Sequence, residues 1–508
     1  MLIKDIKIID IIQDGRGVGK KDGKTIFIEN AIFGEVLDAE ILDFKKNYLE
    51  ARKIQTKIQS KYFRKPPCPY FDECGGCSIM NINYQRQIEL KKNLIKNALK
   101  KSAKIEISDL EIIESIEFHY RNKIRLKVDE NGNLNYLKNY SDQYVEIKDC
   151  LIANELISSN LAEITKITKD INQNSSVKVD EITIRSNKTD ILLNLQGKFD
   201  QESLNYIKEN YSDGKYKINL INGKKLIVIS GNGYLEYNIL GKNFKISALD
   251  FYQVNDFQIE NLYSLAKEFL GENQKILDLY CGSATSSIAI NGDNVIGVEI
   301  NKNAIKDANE NAKRNGLKNY KFLAKNAKYI DEKFIKNEKI DAITLDPPRA
   351  GLDKDLIKAI TDSKIQKIVY ISCNPQTLAR DIKRFMDRGY VLKKIKAVDM
   401  FPQTMHVETV ALLSKLDVDK HISVKIELDE LDLTSAESKA TYAQIKEYVW
   451  NKFQLKVPTL YIAQIKRKCG IELREHYNKS KKEKQIIPQC TPEKEEAIMD
   501  ALRHFKMI

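Results

Sequence analysis

A cysteine lies at the end of an apolar run in the segment KIVYISCNPQTLARD, residues 367–381. The run at 368–371 predicts a buried β-strand, and a helical pattern begins at Pro375. Cys373 therefore lies where the strand meets the surface, whereas a structural cysteine more often lies within a strand among apolar neighbours. A thiol in that position is a candidate nucleophile.

Three further residues follow predicted strands in the same half of the chain. Gly282 follows the strand of LDLYCG, Glu299 ends the strand of VIGVEI 17 residues later, and Asp346 precedes two prolines in LDPPRAGL. In open α/β sheets such strand ends bind ligands, and a glycine turn with a ribose-binding acid is typical of nucleotide sites. Because G-x-G-x-x-G is absent, a nucleoside ligand such as S-adenosylmethionine fits better than a dinucleotide. The alternatives are a packing turn, a surface glutamate and an aspartate that caps a turn.

These groups match the needs of one reaction, methyl transfer to C5 of uracil. C5 becomes nucleophilic only after a thiolate adds to C6, and a base must then remove the C5 proton. Cys373 would supply the thiolate, and Asp346 with Gln253 would hold the pyrimidine edge. Glu408 in FPQTMHVET is a candidate base if burial raises its pKa. His406 competes for that role because its ordinary pKa lies nearer neutrality.

The elements that must position these residues predict a multidomain chain of 508 residues. Residues 1–58 alternate in strand fashion between glycine turns, which predicts an OB-like all-β barrel, a fold that often binds oligonucleotides. Residues 59–240 combine a cysteine-rich stretch, an amphipathic helix and short strands, and predict an α+β domain. Residues 241–416 alternate helices with apolar strands, which is typical of a doubly wound, Rossmann-like α/β sheet. Residues 417–508 predict a small helical extension.

Local signals predict how two of these helices are built. In the α/β domain, Asp256 is the expected N-cap of the first helix and Gly271 its expected C-terminal end. In the extension, Ile445, Val449 and Phe453 recur at helical spacing and are expected to share one helix face.

The charge balance bears on the partner. The chain has 83 Lys and Arg against 71 Asp and Glu, a formal net charge of +12. This surplus favours an acidic partner such as nucleic acid, although a lysine-rich solvated surface explains it equally well. No apolar run approaches the ~18 residues of a membrane helix, and the N-terminus lacks a signal-peptide core, so we expect a cytoplasmic protein with no membrane partner. The basic stretch NKSKKEK, residues 478–484, predicts a loop.

Four other cysteines form a separate pattern. Cys68, Cys74 and Cys77 lie in CPYFDECGGC, separated by five and two residues, and Cys150 follows 73 residues later. In a long intracellular chain such cysteines point to a metal more than to disulfides. Four thiolates can hold zinc or an iron–sulfur cluster, and the spacing does not choose between them. Two unligated pairs are the remaining alternative.

Six motifs resemble those of the RNA 5-methyluridine (uracil-5-) methyltransferase family, and with the N-terminal features the resemblance covers residues 1–416. They follow the family's order: DFYQVN (250–255), DLYCG (278–282), VIGVEI (295–300), LDPPRAGL (345–352), YISCNPQTLARD (370–381) and MFPQTMHVETV (400–410). The resemblance implies a class I methyltransferase domain that uses S-adenosylmethionine and extrudes its target nucleotide. It implies Cys373 as nucleophile and Glu408 as proton acceptor. The cofactor or uracil contacts it implies are Gln253, Tyr280, Gly282, Glu299 and Asp346, with Phe251 as a base-stacking residue.

The barrel and the four cysteines resemble the ribosomal-RNA branch of that family. That branch carries an N-terminal TRAM-type barrel, which residues 1–58 resemble, and a [4Fe–4S] cluster, whose implied ligands are Cys68, Cys74, Cys77 and Cys150. The resemblance therefore implies 23S rRNA as the substrate and no obligate protein partner. The transfer-RNA branch commonly lacks both features. Methylation of tRNA and a non-catalytic RNA-binding or assembly role on the same fold are the alternatives.

Three features depart from the family pattern. Ala284 lies in a turn that usually reads G-x-G-T, where its methyl disfavours a positive φ and would crowd the cofactor. The helix after that turn is about two residues short, and Asn326 replaces the usual aspartate near the adenine. We expect these changes to weaken cofactor affinity without abolishing it, because Glu299 and Asp346 remain.

Overall fold

The computed structural model describes most of the chain and separates it into two compact units. The described residues are 1–139, 141–223, 225–272, 274–290, 292, 294–416, 442–469, 471, 490–505 and 507–508, so the basic stretch 478–484 lies outside them. One unit spans Met1–Val418 and the other Asp419–Ile508. The predicted boundaries of four domains stay a prediction. Within the described ranges, no helix is long and apolar enough to span a membrane.

The N-terminal segment folds into a closed five-stranded barrel, as predicted. Its strands are β1 (Leu2–Ile11), β2 (Gly17–Lys21), β3 (Lys24–Glu29), β4 (Val36–Phe44) and β5 (Tyr48–Ile58). They pair in the order β1-β2-β3-β5-β4, and β4 pairs back with β1. Alternate side chains point inward, and isoleucines fill much of the interior: Ile3, Ile6, Ile8, Ile26, Ile28 and Ile41.

The next segment combines helices with a seven-stranded sheet. Its elements are α1 (Tyr84–Ala103), β6 (Ile112–Ile113), β7 (Lys123–Val128), β8 (Leu134–Leu137), β9 (Tyr144–Glu146), α2 (Glu155–Asn174), β10 (Val179–Ser186), β11 (Ile191–Gly197), α3 (Gln201–Tyr211), β12 (Lys217–Asn222), β13 (Lys225–Ser230), β14 (Tyr234–Ile239) and β15 (Lys242–Ser247). The sheet order is β13-β12-β11-β10-β7-β8-β9, and β14 with β15 forms a separate hairpin. The segment is α+β, with α2 and α3 where the sequence pattern indicated mainly strands.

The α/β half contains the predicted parallel sheet. Its elements are α4 (Ile259–Leu270), β16 (Lys275–Leu279), α5 (Thr285–Ile290), β17 (Asn294–Glu299), α6 (Lys302–Arg314), β18 (Tyr320–Ala324), a 3-10 turn (Ala327–Tyr329), α7 (Glu332–Asn337), β19 (Ala342–Leu345), α8 (Lys354–Asp362), β20 (Lys367–Ser372), α9 (Pro375–Met386), β21 (Tyr390–Val398) and β22 (Glu408–Lys415). The eight strands run in the order β18-β17-β16-β19-β20-β22-β21-β6. The first five are parallel, whereas β22 is antiparallel to both neighbours.

One predicted helix end is confirmed and one is wrong. Gly271 ends α4 with a φ of 78°, a left-handed value that favours glycine. Asp256 is not the N-cap, because α4 begins after Gln258, which makes no side-chain capping bond. The Asp256 carboxylate instead accepts a hydrogen bond of 2.5 Å from the side-chain amide of Asn122. The Asp256 side chain, which the local pattern predicted to cap the helix, therefore makes a tertiary hydrogen bond instead.

Helix α1 packs on the α/β core and holds the segment that leads into β22 through a buried ion pair. Lys91 Nζ donates to Asp399 Oδ1 at 2.5 Å, and both side chains are 0% exposed. Lys91 also donates to the Phe401 carbonyl at 3.1 Å, and the Tyr84 hydroxyl donates to Asp399 Oδ2 at 3.0 Å. Burial lowers the pKa of Lys91, and the neighbouring Asp399 carboxylate opposes that shift.

A second set of bonds holds the same segment at Gln403, whose φ is 68°. The Gln87 amide donates to Gln403 Oε1 at 2.9 Å, and the Gln403 backbone N–H donates to Gln87 Oε1 at 3.0 Å. Arg64 donates to the same Gln403 oxygen at 2.9 Å. These three hydrogen bonds stabilise a backbone conformation that a glutamine seldom adopts by itself.

The second unit is a small helical module. Its described helices are α10 (Tyr442–Phe453), α11 (Thr459–Lys468) and α12 (Pro492–His504). Ile445 and Val449 are fully buried, as predicted, together with Ile462, Ile465, Ile498 and Leu502. Phe453 lies on the same helix at the same spacing but is 38% exposed, so only the first two members of the predicted face are buried. The helix ends at Phe453, and the apolar stripe is completed from α11 and α12 instead.

Lys91→Met should lower the free energy of unfolding by about 3–5 kcal/mol, because it leaves the Asp399 carboxylate buried without its partner. Urea denaturation followed by circular dichroism measures the loss. The matched control is Lys336→Met on α7, whose ion pair with Glu332 is exposed and should contribute less than about 1 kcal/mol. The double variant K91M/D399L should recover most of the stability. Equal losses in the single and double variants would rule out the ion pair as the cause.

Candidate active site

Strand register brings the predicted site residues to one edge of the eight-stranded sheet. Leu279 of β16 pairs with Val298 of β17 and Leu345 of β19, and Leu345 pairs with Tyr370 of β20. Strand β22 runs the opposite way, with Thr409 paired to Ser372. The carboxyl ends of four parallel strands and the amino end of β22 therefore meet. The residues carried to this edge are Tyr280, Glu299, Asp346, Cys373 and Glu408.

The turn after β16 has an unusual backbone. Tyr280, Gly282 and Ala284 all have left-handed φ values, of 68°, 54° and 63°. A Cβ atom built on Gly282 would meet nothing within 4 Å, so the backbone there is open on that side. The Ala284 methyl is fully buried in the apolar core with Ile288. The predicted positive φ at Ala284 is present, but its methyl points into the core and away from open space.

Glu299 is tied to that turn. Its Oε2 accepts a hydrogen bond of 3.3 Å from the Gly282 N–H, and its Oε1 accepts one of 2.8 Å from the Asn301 N–H. The N–H groups of Tyr280 and Cys281 both donate to the Val298 carbonyl, at 2.9 and 3.2 Å. The Val298 carbonyl and the Glu299 carboxylate, both at the end of β17, thus hold the turn. Glu299 remains half-exposed.

Asp278, which the sequence reasoning missed, anchors the other side of the turn. Its buried carboxyl accepts hydrogen bonds from Ser287 at 2.6 Å, Thr344 at 2.7 Å and Ser286 at 3.3 Å. Burial raises the pKa of Asp278, and the hydroxyl donors partly offset that shift. The available signal was an aspartate inside the apolar strand LDL, since a buried acid needs partners.

Asp346, Cys373 and Glu408 form an acidic crevice at the sheet edge. Burial raises the pKa of Asp346 to about 7 and that of Glu408 to about 8, and the charge of Asp346 adds to the shift of Glu408. Burial raises the pKa of the Cys373 thiol to about 11, with further increases from Glu408 and Asp346. The three groups therefore influence one another electrostatically, and none ionises at its ordinary pH.

Arg349 is the cation of this crevice, and the sequence reasoning missed it. Its guanidinium lowers the pKa of both Cys373 and Glu408 against the effect of burial. It also lies 3.4 Å from Nε2 of His406. Burial lowers the pKa of His406 to about 4, and Arg349 contributes to that shift. His406 is therefore neutral at physiological pH. The signal in the sequence was its place directly after Asp346-Pro-Pro.

A cleft of about 1240 Å³ lies beside Cys373 and His406. The barrel contributes residues 12–14, the cysteine-rich stretch contributes Gly75 and Gly76, and the seven-stranded sheet contributes a basic wall. The cations that line the cleft are Arg121, Arg125, Lys127, Lys138 and Arg349. Such a wall suits a polyanion.

Arg121 differs from the other cations of the cleft. Arg125 and Lys127 both form ion pairs with Glu181. The buried Nε of Arg121, by contrast, has no hydrogen-bond partner among the described residues. Its charge also influences Cys77 and His406, so it lies between the cysteine-rich stretch and the crevice. No local pattern in the sequence distinguished this arginine.

The remaining predicted residues lie around the same half of the molecule. Gln253 is buried between β15 and α4, and Phe251 in the same segment is 68% exposed. Neither of them lines the cleft. Asn326 caps the 3-10 turn after β18, where its Oδ1 accepts a hydrogen bond of 3.0 Å from the Lys328 N–H. Helix α5, at Thr285–Ile290, has six residues.

Cys68, Cys74, Cys77 and Cys150 line one small pocket. All four are free thiols, surrounded by apolar and aromatic side chains that include Phe71, Met80, Tyr136, Ile147 and Ile152. The Gly76 N–H donates to Cys74 Sγ at 3.4 Å. Burial raises the pKa of Cys74 to about 12 and also raises the pKa values of Cys68 and Cys77. Such buried thiols need positive charge to become thiolates.

Among the described residues, no three His, Cys, Asp or Glu side chains are arranged to hold one metal ion. Four sulfur donors nevertheless lie around one apolar pocket, and a backbone N–H is directed at one of them.

Comparisons with known proteins agree with this architecture. The family model described as tRNA (Uracil-5-)-methyltransferase matches residues 83–416, and the TRAM domain model matches residues 3–54. The chain is 33% identical over 446 residues to an uncharacterized RNA methyltransferase of Listeria innocua, covering 81% of this chain and 97% of the relative. An uncharacterized RNA methyltransferase of Aquifex aeolicus is 33% identical over 421 residues, covering 80% and 97%.

A solved structure resembles the chain over most of its length. It is the Pyrococcus abyssi tRNA (uracil-54, C5)-methyltransferase in complex with S-adenosyl-L-homocysteine, with a TM-score of 0.65 and 26% identity. The match covers 80% of this chain and 100% of that one. The family model spans more than half of the chain, and it agrees with the relatives in sequence and in structure. The chain therefore belongs to the S-adenosylmethionine-dependent RNA (uracil-5-)-methyltransferase family and carries an N-terminal TRAM domain.

Proposed function

We propose that this protein transfers a methyl group from S-adenosylmethionine to C5 of a uridine in 23S rRNA through a covalent adduct of Cys373. The observation that carries the proposal is the Cys373 thiol at the end of β20, which lines the basic cleft and interacts electrostatically with Glu408 and Asp346. A nucleophile, a base and a hydrogen-bonding acid at one sheet edge are the groups that this reaction requires.

In the proposed reaction the Cys373 thiolate adds to C6 of the uracil, and the electrons of the C5–C6 double bond move to C5 and to the oxygen of the C4 carbonyl. The bound cofactor would supply its electrophilic sulfonium methyl group to C5 and would leave as S-adenosylhomocysteine. The Glu408 carboxylate then removes the C5 proton, the bond between Cys373 and C6 breaks, and the thiolate is released. Asp346 accepts or donates a hydrogen bond at the pyrimidine edge. Its pKa of about 7 allows either form near neutrality.

Glu408 is a better candidate for the base than His406. Its pKa of about 8 lies close to physiological pH, where a carboxyl group both accepts and returns a proton efficiently. His406 has a pKa of about 4, and its Nε2 lies 3.4 Å from the Arg349 guanidinium. The nearby positive charge disfavours protonation of the ring. His406 therefore fits a positioning role beside Arg349.

We assign the cofactor to the turn after β16, with Gln253, Tyr280, Gly282, Glu299 and Asp346 as its contacts. The open side of Gly282 leaves room for a ligand beside the backbone. Each Glu299 carboxyl oxygen accepts one backbone hydrogen bond and retains a lone pair for a ribose hydroxyl. Because the Ala284 methyl lies in the core, the short α5 and Asn326 are the remaining grounds for weakened rather than abolished cofactor affinity.

Two features point to different RNA substrates. The TRAM domain and the four-cysteine pattern favour 23S rRNA, as the resemblance to the ribosomal branch implies. The similarity to the Pyrococcus abyssi enzyme favours tRNA as a second candidate. The basic cleft suits either polyanion, so the substrate must be identified by reaction with both.

We further propose that Cys68, Cys74, Cys77 and Cys150 hold a [4Fe–4S] cluster. The iron ions of the cluster would stabilise the cysteine thiolates, whose formation burial disfavours at Cys74 and Cys77. It would also tie the stretch 68–77, which lines the cleft through Gly75 and Gly76, to the sheet that carries Cys150. Its role in the proposal is to order the RNA-binding wall.

Labelled S-adenosylmethionine and unmodified 23S rRNA should yield label at C5 of a uridine, and Cys373→Ala should reduce the rate at least ~10³-fold, because the covalent step is lost. Cys469→Ala, in the other unit, is the matched control and should leave the rate unchanged. Unmodified tRNA is tested in parallel. Labelling of tRNA alone would replace 23S rRNA with the second candidate.

Detection of the covalent adduct between Cys373 and the RNA provides a second test of the proposed mechanism. Glu408→Gln should accumulate a covalent protein–RNA complex on denaturing gels, because the C5 proton is no longer removed. Adding Cys373→Ala to that variant should abolish the complex. If neither RNA is labelled by the wild type and no complex forms in Glu408→Gln, the protein is an RNA-binding member of the family without this activity.

Alkylation of Cys373 by iodoacetamide should accelerate from pH 7 to pH 9 by less than about tenfold per pH unit, because only the thiolate reacts, its pKa is about 11, and Asp346 and Glu408 ionise in the same range and oppose it. At pH 9 Glu408 is mostly ionised, so Glu408→Gln should lower the thiol pKa and speed alkylation. Arg349→Gln should slow it. Mass spectrometry of the Cys373 peptide measures the rate, with the Cys469 peptide as internal control. Slower alkylation in Glu408→Gln would show that Glu408 instead activates the thiol.

The anaerobically purified chain should contain iron and acid-labile sulfide in equal amounts, near the composition of one [4Fe–4S] cluster. Cys77→Ser should lose most of both, and Cys490→Ser, outside the pocket, should retain them. Iron, zinc and sulfide analyses provide the measurement. Stoichiometric zinc without sulfide would replace the cluster with a structural zinc site.

A further inference from the structure

The second unit carries an asymmetric charge distribution. The family model ends at residue 416, so this unit lies outside the matched region. Residues 442–471 contain six Lys and Arg and one acid, Glu447. Helix α12 contains four acids, Glu493, Glu495, Glu496 and Asp500, and two basic residues. The described part of the unit therefore has two basic helices, α10 and α11, and an acidic helix, α12, to which Lys452 and Lys468 are joined by ion pairs.

The two basic helices also carry exposed apolar side chains. Trp450 is 42% exposed and Phe453 is 38% exposed, and the two lie one turn apart on α10. Leu460, at the start of α11, is 45% exposed. Lys456, in the connection between these helices, lies with its Nζ 5.5 Å from the centre of the Trp450 ring. We call Trp450, Phe453, Lys456 and Leu460 the aromatic–basic patch.

Lys456 is the cation of the patch that is available to a ligand. Lys452, which lies 5.3 Å from the Phe453 ring, is held in an ion pair of 2.8 Å with Asp500. Lys456 makes no ion pair or hydrogen bond within the described residues, and its contact with the Trp450 ring is exposed. A large aromatic ring with an uncompensated cation beside it is the combination that single-stranded nucleic acid recognises, by base stacking and phosphate neutralisation.

We propose that the aromatic–basic patch binds single-stranded RNA, with a base stacked on Trp450 and the adjacent phosphate neutralised by Lys456. RNA is favoured over an apolar protein surface, because the latter would bury the Lys456 ammonium without a counter-charge. Phe453 and Leu460 extend the apolar surface beside the stacked base. The patch gives the chain an RNA contact on a different unit from the one that holds Cys373. It does not depend on which uridine is methylated.

The single tryptophan of the chain makes the test local, since all indole fluorescence comes from Trp450. The full chain carrying Cys373→Ala, without S-adenosylmethionine, is titrated with a short single-stranded oligouridylate. Emission from Trp450 should be quenched as the RNA binds. Anisotropy of labelled RNA should show about tenfold weaker binding for Trp450→Ala, and Trp450→Phe should restore most of it.

Salt dependence tests the lysine separately. Lys456→Gln should reduce the slope of log affinity against log salt by about 0.7, the value for one phosphate contact on a single strand. Lys494→Gln, on the acidic helix of the same unit, is the matched control and should leave the slope unchanged.

Two results would overturn the proposal. One is unchanged Trp450 emission while anisotropy shows that the RNA is fully bound. The other is failure of acrylamide to quench Trp450 in the free protein, which would mean that another surface of the chain or a second copy already covers the patch. Neither result bears on the methylation assay, so this proposal and the catalytic one fail separately.

Discussion

The antiparallel pairing of β22 with β20 determines which side chains meet at the active edge. Ser372 pairs with Thr409, so the end of β20 and the start of β22 lie side by side, and a slip of one residue would turn Glu408 to the opposite face of the sheet. Parallel pairing of β19 with β20 brings Asp346 to the same edge. Ionisation of Asp346 then opposes that of Glu408, and both oppose that of Cys373. The strand register thus brings the three side chains together, and their proximity disfavours the ionisation of each.

Because these ionisations oppose one another, the nearby cation and the contacts that hold β22 in place are important. Arg349 is the group that lowers the pKa of both Cys373 and Glu408, and its charge also helps to keep His406 neutral. The chain that leads into Glu408 is held from the opposite side by Lys91, whose ammonium group is buried against Asp399. A buried ion pair adds little net stability, but loss of one partner is costly, so the pair ties the position of β22 to α1.

Sequence patterns predicted the barrel, the α/β strands and the edge where Asp346, Cys373 and Glu408 meet, because apolar runs and the rules of parallel sheets are local or general. They did not predict Lys91–Asp399, since its members are 308 positions apart and neither has a local signature. Asp256 was assigned to a helix end for the same reason: its partner, Asn122, lies in another part of the chain. The pKa values of the crevice likewise depend on burial, which spacing does not reveal.

The turn after β16 shows how neighbouring residues can hold the shape of a turn that departs from a family motif. Left-handed backbone at a non-glycine residue costs roughly 1–2 kcal/mol, and here both Tyr280 and Ala284 adopt it. The conformation persists because Val298 accepts two of its N–H groups, Glu299 accepts a third, and the Asp278 carboxyl holds the serines of α5. The Ala284 methyl packs in the apolar core. The shape of the turn is thus imposed by its neighbours, so the residue at 284 sets how much strain the turn stores more than which ligand it can accept.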